Sequence, residues 1–361
     1  PLGSTLNDLP IAQRQVVAIA RALMNNAKLI FMDEPTASLT QTETDRLLDI
    51  VRKLSAEGVA IVFVSHRLAE VLEIAERVTV VRDGNLVGVY PTKDMTQARL
   101  GELMTGHLIE NEVVARDLPD APVVFEAKGL SRHDEFKDVS LTIKGGEVLG
   151  LTGLIGAGRT ELAHVMMGMR RADSGHMTLN GAPYRPANLR EAIQKSMAYV
   201  SEDRLSLGLL QKQSIEDNTV ISVLRKLTAA AGLISDARKS DLVRHWIREL
   251  GVKIGAPSDA ISTLSGGNQQ KVVLAKWLAT EPHLLILDSP TVGVDVGARA
   301  GIFRIVRRLA EEGLAILLIS DEVTEVMHHS DRILHMADGR IVQEYDPRTI
   351  SVPQLEEQIY A

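Results

Sequence analysis

Cysteine is absent from all 361 residues, which excludes a disulfide framework or a thiolate metal site and fits a reducing compartment. Aromatic residues make up only 3% of the chain, too few for the stacked platforms that hold single-stranded nucleic acid. Positive charge is in deficit as well. The 40 Lys and Arg against 47 Asp and Glu give a formal net charge of −7, which points away from a phosphodiester partner. Long apolar runs are missing too: LAILLI at 314–319 falls far short of the roughly 20 residues that a membrane helix needs. Any membrane role must come through a partner. The opening PLGS has neither the charged nor the apolar region of a signal peptide, so residues 1–4 read as a protease-tag scar and are set aside. What is left, 45% hydrophobic and 24% charged, is a globular, soluble composition long enough for two or three domains.

What is present is a repeat. Residues 9–40 recur without a gap 255 positions later as residues 264–295, and the register holds for a further forty residues. At that offset Asp33 faces Asp288, Glu34 faces Ser289, His66 faces Asp321, Arg77 faces Arg332, and Asp83-Gly84 faces Asp338-Gly339.

Helices and strands alternate along both copies. Val16, Ala20, Leu23 and Met24 recur at helical spacing and lead into LIFMD at 29–33, which reads as a buried strand. A helix through Leu47, Val51 and Leu54 leads to a second buried run, AIVFVS at 60–65, and then to a strand pair turning at Asp83-Gly84. Residues 107–121 are charged, lack sustained periodicity and end in prolines, so they read as a linker. From residue 122 the second copy reads as complete. Paired strands VVFEAKGL and KDVSLTI precede a buried strand, VLGLTG at 148–153, then a glycine turn and a helix from about 159. Ser214 is placed to cap a helical segment within 214–250. The counterpart of the glycine turn falls ahead of residue 1, so 5–106 read as the C-terminal remnant of a first copy.

The run Gly153-Leu154-Ile155-Gly156-Ala157-Gly158-Arg159-Thr160 has the spacing of a phosphate-binding loop, with arginine where lysine is usual. Glycines let backbone N–H groups curl around phosphates at a helix N-terminus, and Thr160 offers a hydroxyl to Mg²⁺. Arg159 keeps the charge but not the shape, because a planar fork sits in a cradle sized for an ammonium only with some displacement. About a hundred residues on, LSGGNQQ at 264–270 is followed by a helix and by LLILD at 284–288.

Together these motifs resemble the ATP-binding cassette (ABC) ATPases. The fold implied is α/β, a P-loop NTPase cassette with a helical subdomain and an antiparallel β subdomain, preceded by a partial cassette. The resemblance makes LSGGNQQ the signature motif, with Ser265 capping the helix and Gly266 and Gly267 approaching a nucleotide held by an opposing cassette. It places Asp33 and Asp288 where a carboxylate holds Mg²⁺ through water, Glu34 at the general-base position and His66 at the switch-histidine position. Ser289 and Asp321 then make the second copy a degenerate hydrolase. LPIAQ at 9–13 replaces the signature in the first copy, so with head-to-tail pairing the intact parts of both copies belong to one site. GLIGAGRTEL at 153–162, SEDR at 201–204 and LSGGNQQKVVLAKWLA at 264–279 narrow the resemblance to the second cassette of bacterial carbohydrate importers of the ribose, galactose, arabinose and xylose type. Glu202 and Asp203 stand in the segment that in this family contacts the membrane subunits. Phe136 and His133 are the nearest rings for adenine.

The function implied is an ATP-hydrolysing importer subunit using ATP and Mg²⁺. It would sit on the cytoplasmic face of a bacterial plasma membrane against permease subunits and, indirectly, a solute-binding protein, without nucleic acid. Two alternatives stand beside it. One is a nucleotide-binding regulatory or assembly fragment. The other is a soluble tandem ABC ATPase acting on ribosomes or DNA, which calls for a long basic linker where 107–121 is short and not basic.

Overall fold

The computed structural model describes all residues except 1–4, 7–8, 10, 25–26, 37–38, 40, 66, 83, 106–112, 114, 229–231 and 361. Residues 1–4, His66 and much of the linker thus lie outside the described residues. The chain divides into two compact units, one running to Glu110 and the other holding nearly all that follows.

The first unit runs α1 (Ile11–Met24), β1 (Leu29–Asp33), α2 (Gln41–Ala56), β2 (Ala60–Val64), α3 (Leu68–Ile74), β3 (Arg77–Arg82), β4 (Asn85–Pro91) and α4 (Gln97–Thr105). β1 and β2 form a parallel pair, and β3 and β4 an antiparallel hairpin. Ile30 and Met32 of β1 bury against Ile19, Leu47, Val51 and Leu54.

The second unit runs β5 (Val123–Arg132), β6 (Phe136–Lys144), β7 (Val148–Thr152), α5 (Arg159–Met166), β8 (Ser174–Leu179), β9 (Ala182–Tyr184), α6 (Leu189–Gln194), β10 (Met197–Val200), α7 (Ile215–Val220), α8 (Asp236–Glu249), α9 (Gly266–Leu278), β11 (Leu284–Asp288), α10 (Val296–Glu311), β12 (Ala315–Ile319), α11 (Val323–His329), β13 (Arg332–Ala337), β14 (Arg340–Tyr345) and α12 (Val352–Tyr360). Six strands form a sheet in the order β10-β11-β12-β7-β13-β14, parallel except for β14. A second, antiparallel sheet runs β6-β5-β8-β9. Alternate residues of the central strands serve opposite cores. Leu285, Leu287, Ile316 and Leu318 pack with α9, α10 and α11, while Leu284, Ile286, Leu317 and Ile319 pack with α5 and the antiparallel sheet. A parallel sheet covered on both faces accounts for strands that are apolar throughout. Ser214 caps α7 as expected, its hydroxyl accepting from Asp217 N.

The first unit departs from two expectations. β1 is buried on one face only: Leu29 and Phe31 are 49% and 72% exposed, and Val62 and Val64 of β2 are 40% and 49% exposed. Their counterparts Leu284, Ile286, Leu317 and Ile319 are at most 1% exposed. In the second unit that face is covered by α5 and the antiparallel sheet, and no such elements occur among the described residues of the first. On α1, Val16, Ala20 and Met24 face solvent and Ile19 carries the burial, so the apolar stripe is rotated from the expected one; Leu23 is outside the described side chains. Among the described residues no helix is long and apolar enough to cross a membrane.

Candidate functional site

The glycine loop grows out of β7, a central strand buried throughout. Gly153 lies at φ 150°, so close to β13 that a Cβ would stand 2.0 Å from the Met336 carbonyl oxygen. Gly158, at φ 96°, is the N-cap of α5, and a Cβ there would meet the Glu135 carbonyl at 2.6 Å. At Gly156 space is open and only the φ of 86° asks for glycine. Ala157 is buried between them.

Arg159 opens α5 and is itself buried. Its fork turns back on the loop, Nη2 donating to Leu154 O at 3.4 Å, while Nη1 is buried without a partner. Burial pulls its pKa down, and the charges of Asp321, Asp288, Glu202 and Glu161 pull it back up. An orphaned guanidinium N–H inside a glycine cradle is costly alone and suits a phosphate oxygen. The loop therefore fits a nucleotide phosphate, with the arginine folded inward rather than pushed out of the cradle.

Thr160 and Asp288 meet. The Thr160 side chain hydrogen-bonds Asp288, whose Oδ2 also accepts from Tyr199 Oη at 2.8 Å. Tyr199 Oη lies 3.3 Å from His164 Nε2. Burial raises the Asp288 pKa, opposed by Tyr199, Thr160 and Arg159. Glu202 is raised by burial and by the Asp288 and Asp321 charges. A hydroxyl beside a carboxylate at a phosphate cradle is a donor set for a hard cation shared with phosphate oxygens, and Thr160 and Asp288 would hold it. Tyr199 and His164 escaped the sequence reading; a tyrosine inside the apolar strand MAYV was the available signal.

Ser289, after β11, lies at φ 44° and donates N–H to Ile319 O at 2.9 Å. In the first unit, Glu34 after β1 lies at φ 44° and donates to Val64 O at 2.8 Å. One backbone conformation carries two different side chains. Asp33 and Glu34 are exposed, whereas Asp288 and Ser289 are buried. Asp321 is exposed beyond the end of β12. Of the two rings near the loop, Phe136 is 1% exposed and belongs to the core, which removes it as an adenine platform; His133 is accessible.

Ser265 holds the N-cap position of α9 but does not cap it. Its Oγ accepts instead from Asn268 Nδ2 at 3.1 Å. Gly266 and Gly267 have an internal reason to be glycine, since a Cβ would meet Gly293 O at 2.7 Å and Ala298 Cβ at 2.3 Å respectively. Arg204, buried at 8% exposure, lies against the same turn and reaches the Val292 and Gly293 carbonyls, each at 3.4 Å.

The 204–208 segment is pinned at its far end by Lys276, which donates Nζ to Gly208 O at 2.6 Å from a buried position over the Trp277 ring. Burial pulls its pKa down to about 8. The unfolded lysine titrates near 10.4, so between about pH 8 and 10.4 the unfolded chain binds more protons than the folded one. Stability then rises with pH across that window, by roughly 2–3 kcal/mol for this group. Denaturant melts at pH 7.5, 9 and 10 are expected to show that rise in the wild type, and a flatter profile in Lys276→Met.

A family model described as "ABC transporter" matches residues 136–292. A ribose import ATP-binding protein of Rubrobacter xylanophilus is 46% identical over 95% of this chain and 66% of its own length. Another, of Lacticaseibacillus paracasei, is 41% identical over 95% of this chain and 69% of its length. The chain thus spans about two thirds of the length of these relatives. Among solved structures, a nucleotide-free ATP-binding cassette from an ABC transporter superposes with a TM-score of 0.55 at 20% identity, over 66% of this chain and 99% of that one. That likeness shows the cassette fold, and the identities to the longer relatives show kinship: the chain belongs to the ABC transporter family, among its ATP-binding proteins.

Proposed function

We propose that this chain is part of the ATP-binding subunit that energises import of a sugar or related small polar solute. Its Arg159 loop binds Mg–ATP, and hydrolysis at that loop is slow. The observation that carries the reading is the orphaned Arg159 Nη1 inside the glycine cradle, one residue from the Thr160–Asp288 pair. When bound, Mg²⁺ supplies charge neutralisation between the phosphates. Arg159 supplies a charged donor to the terminal phosphates, and the loop N–H groups hold the rest. At Ser289 there is no carboxylate to orient or deprotonate water, and Asp321 sets a negative charge where a donor would serve. Glu34 and His66 carry the hydrolytic chemistry in the other copy, whose residues 1–110 contain no glycine-rich phosphate loop.

The partners that follow are an opposing cassette docked head to tail, so that Ser265, Gly266 and Gly267 face its nucleotide, and permease subunits on the cytoplasmic face of the membrane. The names of the relatives support the solute class. Titration with a fluorescent ATP analogue and Mg²⁺ is expected to saturate at one nucleotide per chain, with phosphate release at the level of the blank. Brisk release that Glu34→Gln abolishes would assign turnover to the first copy and overturn the division.

A further inference from the structure

Glu325 is a carboxylate 6% exposed that the proposed chemistry does not use. It sits in the first turn of α11 and accepts two hydroxyl hydrogen bonds, from Thr291 Oγ1 on one oxygen and from Ser320 Oγ at 2.7 Å on the other. Thr291 lies two residues beyond Ser289, and Ser320 directly precedes Asp321. The two loops that present side chains toward the nucleotide's terminal phosphate are therefore joined through one buried group. Ser320 N also donates to Leu151 O of β7 at 3.2 Å, which carries the connection to the strand that launches the glycine loop. We propose that Glu325 is a positioning residue of the nucleotide site, a clasp that makes the Ser289 loop, the Asp321 loop and the glycine loop move as one body. This rests on the reading that the Arg159 loop binds nucleotide.

The first unit holds an independent instance. Glu70, the counterpart of Glu325, is 7% exposed and accepts from Thr36 Oγ1 at 2.6 Å, two residues beyond Glu34. Its other oxygen accepts from Arg67 Nη1 at 3.2 Å, and Arg67 adjoins position 66. The cation is then exchanged between the copies. Arg67 corresponds to Glu322, and the buried Thr44 corresponds to Arg299. Arg299 bonds both Glu322 oxygens, at 2.8 and 2.6 Å, and stands 3.8 Å from Glu325. The threonine–glutamate clasp is present in both copies while the balancing arginine arrives from a different element in each. A carboxylate held merely by charge pairing has no need of the same threonine twice.

The charged groups facing Glu325 are Glu322 and Arg299. Burial first, then Glu322, push its pKa up to about 7, against Thr291, Arg299 and Ser320. A carboxylate that accepts two hydroxyl donors is favoured ionised, so the clasp is tightest above neutrality.

Two measurements on the full chain test this, hydrogen exchange without nucleotide and Mg–ATP-analogue affinity. In Glu325→Gln, amides at 289, 291 and 292 and at 320–322 are expected to exchange faster together while α9 keeps its protection, and affinity is expected to fall roughly tenfold, the effect of losing one charged hydrogen bond. Thr291→Val and Ser320→Ala each cut one arm and serve if Glu325→Gln does not fold. Either is expected to loosen both loops and to add little on top of Glu325→Gln. Loosening of one loop alone, or unchanged affinity in a Glu325→Gln protein whose wild type binds, overturns the clasp and leaves the nucleotide site standing. Absence of binding by the wild type removes the nucleotide site itself, and the positioning role with it.

Discussion

Arg159→Ala is expected to weaken Mg–ATP binding by about 10- to 100-fold, the equivalent of the roughly 1.5–3 kcal/mol that a hydrogen bond to a charged group contributes. The wild-type guanidinium is already desolvated and lacks an acceptor at Nη1, so the cost of dehydrating it is met in the unliganded protein and little is left to pay on binding. Removing it also leaves Asp321, Asp288, Glu202 and Glu161 without the cation they share, which sets negative charge against the incoming phosphates. Both effects act in the same direction. Arg159→Lys keeps the charge and is expected to retain most of the affinity, since a compact ammonium suits such a cradle. Titration with a fluorescent ATP analogue measures all three proteins. Equal affinities for wild type and Arg159→Ala would take Arg159 out of the site.

Gly153→Ala is expected to destabilise the second unit by roughly 3–5 kcal/mol, the range of the most damaging single substitutions. The added Cβ would lie 2.0 Å from the Met336 carbonyl oxygen, a backbone atom of β13, and Gly153 directly follows β7, which pairs with β13, so neither side can easily step aside. The φ of 150° adds strain for any L side chain. Gly156→Ala is the control. Open space surrounds that position, so only the positive φ opposes it, at about 1–2 kcal/mol. Urea melts distinguish the two, and a Gly153→Ala protein as stable as Gly156→Ala would show that β7 and β13 can part.

The strands, the glycine loop and the repeat register were legible because apolar runs of fixed length, glycines at fixed spacing and a constant offset leave few alternatives. LLILD and LIFMD looked alike in sequence and differ in burial because burial depends on what covers a strand, and Phe31 lacks the cover that Ile286 has. The Ser265 cap failed for a local reason: Asn268, one turn on, offers its amide to the same hydroxyl. Phe136 stood at the right distance from the loop, but it packs into the core although it is out of phase with the inward Val139, Leu141 and Ile143 of β6, the strand being interrupted by the positive φ of Asp138. Tyr199, Lys276 and Glu325 were out of reach of spacing arguments altogether. Each acts across elements remote in sequence, and no period links Thr291 to Glu325 or Gly208 to Lys276.

The shared left-handed backbone at Glu34 and Ser289 bears on reversibility. A non-glycine residue at positive φ carries a cost of about 1–2 kcal/mol, and the second copy bears it with serine where the first has glutamate. The turn is therefore held by the sheet and its Ile319 hydrogen bond rather than by the residue standing in it. On the proposed division between the copies, the second keeps the frame of the first without its carboxylate, and a glutamate placed at position 289 would find the stage already set.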